Sequence, residues 1–165
     1  MAKEEKHLPV IGIGPLIVAP QLILTGITIW MDKRKLIPSI TSPNTLRALL
    51  VMIGISMILA GVVLWWSANF KEKIDQNIKS NQLVTSGSYA WVRNPIYSAF
   101  WQLCFGIVLM NGNILLCIVP LLNWIYMTIL LKNTEEKWLF DLYGKDYELY
   151  CKKVNRIIPF PERRS

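Results

Sequence analysis

"ALLVMIGISMILAGVVLWWSANF", residues 48–70, contains no Asp, Glu, Lys, Arg or His. A helix needs roughly 20 consecutive apolar residues to cross the hydrocarbon layer, and within lipid every backbone N–H and C=O must find its partner inside the protein. This stretch therefore reads as a membrane-spanning helix. Its Trp65-Trp66 pair suits the lipid interface.

Three further uncharged runs cover residues 8–31, 96–110 and 114–131. The first is long enough to span, the last is marginal and the middle one is short. The fold class expected is an all-α integral membrane protein, with about four transmembrane helices followed by amphipathic C-terminal helices. Composition agrees. In 165 residues, 53% hydrophobic content, a mean hydropathy of +0.34 and 18% charged residues give more apolar surface than one soluble domain can hide. One domain over residues 1–165 is expected.

The N-terminal residues are charged and the first apolar run is too long for a cleaved signal, so that run is expected to be retained. With four spans, 14 of the 18 Lys and Arg residues fall on the side of both termini and only Lys33, Arg34, Lys35 and Arg47 on the other. Cationic loops resist translocation, which places both termini in the cytoplasm. The net charge of +7 then needs no nucleic acid. It suits anionic lipid headgroups, and no basic stripe with interleaved aromatics is present.

Pro15 and Pro20 lie inside the first run, where a bend is expected. A second helix is expected from Asn44 or Thr45. Asn111-Gly112-Asn113 is the tightest turn signal and makes the flanking runs antiparallel neighbours. Arg93 lies 18 residues before Asn111 and Glu135 22 residues after Asn113, so at a rise of about 1.5 Å the two arms end at similar depth. Beyond residue 131, Trp138, Leu139, Leu142 and Tyr143, then Tyr147, Tyr150, Cys151 and Val154, mark apolar faces of two short helices, with Gly144 as the cap between them. Such a tail would lie along the membrane surface and lid whatever sits between the last two spans.

Cys104, Cys117 and Cys151 have no CxxC spacing, and His7 is the sole histidine, so packing cysteines and no metal site are expected. The polar residues gathered at the cytoplasmic mouth are Gln76, Asn81, Gln82, Tyr89, Arg93, Asn94, Tyr97, Glu135 and Glu136. A bland reading exists for them. Asn94 would cap a helix that starts at Pro95, Arg93 would snorkel, the tyrosines would form an interfacial belt, and Glu135 and Glu136 would open a solvated helix.

"LVTSGSYAWVRNPIYSAFW" (residues 83–101), followed by "TEEKWLFDLYGKDYELYCKKV" (residues 134–154) and a terminal "IPF", resembles the integral membrane isoprenylcysteine carboxyl methyltransferases and the related phospholipid methyltransferases. The resemblance covers residues 69–160 and rests on two separated motifs in the right order. It implies S-adenosylmethionine as methyl donor, leaving as S-adenosylhomocysteine. It further implies a cofactor pocket lined by Asn81, Gln82, Leu83, Val84, Tyr89, Asn94, Pro95, Ile96, Tyr97 and Glu135, with Gln76 as a looser match. Arg93 and Glu136 are the catalytic candidates.

The chemistry suits these residue types. The donor's ammonium, carboxylate, ribose diol and adenine must all be paired when they leave water, and a guanidinium, carboxylates, an amide and aromatic faces do that. The implied reaction is an in-line methyl displacement onto a lipid-like or prenylated acceptor, most like carboxyl O-methylation, with alignment and exclusion of water as the main contributions. The alternatives are N-methylation of phosphatidylethanolamine, which requires a base such as Glu135 or Glu136, and a scaffold or transporter without catalysis. Intramembrane ionisable residues, the usual mark of transport, are absent from the four runs. The chain departs from the family's usual Arg-His-Pro by carrying Asn94 between Arg93 and Pro95, and Lys132 is the nearest match to the family's substrate-facing cation. Its short length points to a prokaryotic inner or plasma membrane.

Overall fold

A computed structural model describes residues 13–40, 43–71 and 83–160 of the chain. Among these residues the architecture is helical, without a β-sheet. Helix α1 is Gly14–Lys33 and α2 is Asn44–Trp66, which widens into a π-helical turn at Ser67–Lys71. A 3-10 turn, Gly87–Ala90, leads into α3, Pro95–Asn111. A second 3-10 turn, Ile114–Cys117, opens α4, Ile118–Asn133, and the short α5 (Glu135–Tyr143) and α6 (Lys145–Lys153) follow.

Three stretches, Gly14–Lys33, Asn44–Phe70 and Ile114–Tyr143, are long and apolar enough to cross a membrane by length and composition, whereas Pro95–Asn111 is a shorter apolar helix. The exposed side chains along α2, including Leu49, Met52, Leu59, Val63 and Trp66, are those a lipid-facing helix presents. Pro15 falls in the first turn of α1, where its missing N–H costs nothing, and the helix runs unbroken past Pro20.

Helix α3 is central, touching α1, α2 and α4. Its seam with α2 is built from small residues. A Cβ added to Gly106 would sit 2.5 Å from the Gly54 carbonyl oxygen, and one added to Gly61 would sit 2.8 Å from the Ala99 carbonyl oxygen. In lipid, burial against a neighbour gains little over burial against acyl chains, so such close backbone approach and its dispersion contacts hold the helices together. On the other flank, Ile13 and Ile17 of α1 pack with Met127 and Leu131 of α4 and with Ile157 from the C-terminal segment.

The turn between α3 and α4 is fixed by polar bonds. Gly112 takes the left-handed conformation (φ 83°) that ends α3. Asn113 and Asn111 each donate to Asp32 at 2.6 Å, while the Asn113 side-chain Oδ1 accepts from the backbone amides of Ile40 and Leu115. This knot ties the α1–α2 connection to the α3–α4 turn at one end of the bundle. The opposite end is left to the candidate site.

Candidate functional site

The site forms where the N-terminus of α3 meets α5 and the segment after α6. Pro95 starts α3 because its fixed φ and missing N–H suit the first helical position. Asn94 occupies the cap position, yet its side chain makes no cap bond. Its Nδ2 donates instead to the Arg156 carbonyl at 3.0 Å, 62 residues away. The amide therefore joins the helix mouth to the C-terminal segment rather than to its own helix.

That segment is strapped across the mouth by backbone bonds. The Arg93 amide donates to the Asn155 carbonyl at 2.8 Å, and the Phe160 amide to the Trp91 carbonyl at 3.1 Å. From α6, the Tyr150 hydroxyl donates to the Tyr89 carbonyl at 2.6 Å. Beneath the strap Tyr147, Tyr150 and Val154 form a small core on which Leu83, Leu139, Tyr143 and Cys151 pack. Burial pushes the Tyr147 and Tyr150 phenols and the Cys151 thiol above their ordinary pKa values, so all three stay neutral near pH 7.

Two carboxylates adjacent in sequence enter different surroundings. Glu136 is enclosed by guanidinium groups: Arg93 Nη2 lies 2.9 Å from Oε1, while Arg156 Nε and Nη2 reach Oε1 and Oε2 at 2.6 and 2.7 Å. The three side chains are 8% (Arg93), 11% (Glu136) and 25% (Arg156) exposed. The hydrogen bonds that Arg156 donates to Glu136 raise the Arg156 pKa above its ordinary value. Two cations against one anion leave this cluster an excess positive charge, and Arg93 Nε is buried without a hydrogen-bond partner. The Arg93 guanidinium also lies 6.0 Å from the centre of the Tyr147 ring.

Glu135 faces the helix bundle. Its Oε1 accepts the Tyr97 hydroxyl at 2.6 Å and the Ile13 backbone amide, from the start of α1, at 3.3 Å. The solvated pair of acids in the bland reading is not what forms, nor is the snorkelling Arg93: each of these charges is engaged inside the fold.

Of the residues expected at the site, Arg93, Asn94, Tyr97, Glu135 and Glu136 come together through these bonds. Tyr89 is buried beside them through its carbonyl, Leu83 packs under the strap, and Pro95 is buried at the helix start. Val84 and Ile96 are half-buried nearby in the chain. Gln76, Asn81 and Gln82 lie outside the described residues. Sequence reasoning missed Arg156, Tyr147, Tyr150 and the Ile13 amide. Arg156 had figured only as one tail cation among several, and the tyrosines only as an apolar face. A backbone amide carries no signal in a sequence at all.

The family model described as phospholipid methyltransferase matches residues 46–146, which span α2 to the start of α6. This chain belongs to that family. Its membership and its apolar helices make it a membrane protein. Among known proteins it is similar to the protein-S-isoprenylcysteine O-methyltransferase of Xenopus laevis, with 37% identity over 123 residues that cover 67% of this chain and 41% of the relative. The Schizosaccharomyces pombe protein of the same name is 37% identical over 82 residues, covering 49% of this chain and 34% of that protein. The Tribolium castaneum one is 28% identical over 158 residues, 87% of this chain and 53% of that protein. The chain thus spans about a third to a half of the length of the curated relatives it matches. No solved structure matches it.

Proposed function

We propose that this chain is a single-domain membrane methyltransferase that uses S-adenosylmethionine to methylate a lipid-like acceptor, most like a prenylcysteine carboxylate. The family and the names of the three relatives support the reading. The observation that carries it is the convergence of Tyr97, Glu135, Arg93 and Asn94 at the mouth of an apolar helix, where polar groups meet lipid-facing surface.

The residues fit the cofactor. The buried, unpartnered Arg93 Nε within a cluster of excess positive charge suits a carboxylate. Glu135 suits an ammonium or a ribose hydroxyl, and Leu83, Val84, Tyr89 and the Asn94–Tyr97 stretch would line the chamber, with Gln76, Asn81 and Gln82 completing it. When bound, S-adenosylmethionine supplies an electrophilic methyl group. The chain's residues would orient both partners and exclude water, which the strap over Trp91–Asn94 serves.

Both oxygens of Glu136 are occupied by guanidinium N–H groups, so it is better placed to orient Arg93 and Arg156 than to take a proton. A carboxylate acceptor needs no general base and an ammonium acceptor does. With Glu136 held in this way and Glu135 assigned to the cofactor, neither acid is free to deprotonate an ammonium, which favours O-methylation over N-methylation of phosphatidylethanolamine. Both termini and the site would face the cytoplasm, with the shorter α3 completing four spans.

The test is S-adenosylhomocysteine binding to the purified protein in lipid nanodiscs, then methyl transfer from labelled donor to a prenylcysteine analogue or to phosphatidylethanolamine. Saturable binding, weakened in Glu135→Ala, with label in the prenylcysteine, is expected. Folded protein that binds no S-adenosylhomocysteine would turn the reading towards a non-catalytic scaffold.

A further inference from the structure

Glu135 is the acid that the proposed function places against the cofactor, and its geometry contains more than that role requires. Among the described residues its two donors converge on one oxygen: the Tyr97 hydroxyl and the Ile13 amide reach Oε1, and neither reaches Oε2. Tyr97 stands on the first turn of α3, Glu135 opens α5, and Ile13 caps the start of α1. A carboxylate free to rotate would present either oxygen. One clamped from two directions at Oε1 presents Oε2 alone, in one orientation.

The clamp has its own foundation. The Tyr97 ring packs on the cluster of Ile13, Ile17, Met127, Leu131 and Ile157, which joins α1, α4 and the C-terminal segment. Gly14, next to the donating amide, lies close to the phenol as well, since a Cβ built there would be 3.6 Å from the Tyr97 hydroxyl oxygen. A second anchor, the Tyr126 hydroxyl bonded to the Leu16 carbonyl at 2.8 Å, fixes the same turn of α1. Helix α1 precedes residues 46–146, the part that matches the family model, and yet it reaches the acid of the site.

We propose that Tyr97 and the Ile13 amide are positioning groups for Glu135, fixing Oε1 within the protein so that Oε2 takes the donor-bearing part of the ligand. Helix α1 is then a wall of the site rather than an anchor beside it. The proposal rests on the cofactor reading above and adds to it that the Tyr97 hydroxyl and the Ile13 amide act on the ligand through Glu135.

The experiment is a double-mutant cycle on the full chain in nanodiscs, with S-adenosylhomocysteine as the probe and calorimetry as the readout. Tyr97→Phe is expected to weaken binding roughly tenfold, the lower end for a hydrogen bond to a charged group. In a Glu135→Ala background the same change is expected to cost no more than about twofold, because its target is gone. A tyrosine that only packs would lower affinity equally in both backgrounds, and that result overturns the proposal. Glu135→Ala losing affinity while Tyr97→Phe keeps it also overturns the positioning role, yet leaves the cofactor reading standing. Folded wild-type protein without binding overturns both. For the amide, Ile13→Ala retains the donor and Ile13→Pro deletes it. Weaker binding in the proline variant alone is expected, and equal behaviour removes α1 from the site.

Discussion

Replacing Glu136 by alanine removes the one anion between two guanidinium groups. Three charge-assisted contacts at 2.9, 2.6 and 2.7 Å disappear together, and Arg93, whose side chain is only 8% exposed, is left facing Arg156 in poor solvent. Breaking a buried ion pair from one side costs about 3–5 kcal/mol. Arg156 is 25% exposed and recovers some hydration, so the lower end, about 3 kcal/mol, is the appropriate figure. For a domain of this size that corresponds to a fall in Tm of roughly 6–12 °C. The loss should centre on the strap, because Arg156 belongs to the segment bonded to Arg93 and Asn94 through the backbone. The assay is thermal unfolding in detergent, with alkylation of Cys151 as the local reporter, since this thiol packs on the core beneath the strap. Glu136→Ala should melt early and expose Cys151 faster than wild type. Adding Arg156→Leu should recover part of the loss, because it removes the uncompensated charge rather than a favourable contact. An alanine variant that melts within a degree or so of wild type, with Cys151 equally protected, would refute the claim that this cluster holds the tail to the helix mouth.

Gly106→Val should separate α2 from α3: the first added carbon already meets the Gly54 carbonyl at 2.5 Å and Ile58 at 2.7 Å, so a loss of about 1–3 kcal/mol or more is expected in detergent melting, and unchanged stability would dismiss the small-residue seam. Alkaline pH should release the tail. The folded-state pKa values of Tyr147 and Tyr150 are raised by burial above the unfolded value of about 10, so their contribution to stability is intact below pH about 10 and is lost progressively as pH rises beyond it. Tyrosinate absorbance should then rise together with Cys151 alkylation. Phenols that titrate near their ordinary pKa while Cys151 stays protected would contradict the burial argument.

Much of this molecule is local in origin and so was legible in the residues. Uncharged runs of sufficient length specify helices that cross lipid, Pro95 opens α3, and Gly112 and Gly144 mark the ends of α3 and α5 through conformations that other side chains resist. The helix lengths on either side of the Asn111–Asn113 turn also bring Arg93 and the acids to one level, which needs only a constant rise per residue. The two separated motifs identified the family without any contact being known.

What the tertiary structure alone decided is which polar group meets which. Glu135 and Glu136 are neighbours with the same chemistry, yet one accepts from Tyr97 and α1 while the other is enclosed by Arg93 and Arg156. Asn94 stands where a cap belongs and bonds a carbonyl 62 residues away instead. Helical spacing places a side chain on a face, but its partner depends on how four helices and a returning tail settle against one another. That is fixed by close packing over the whole bundle, where an unpaired buried charge costs more than any local preference gains.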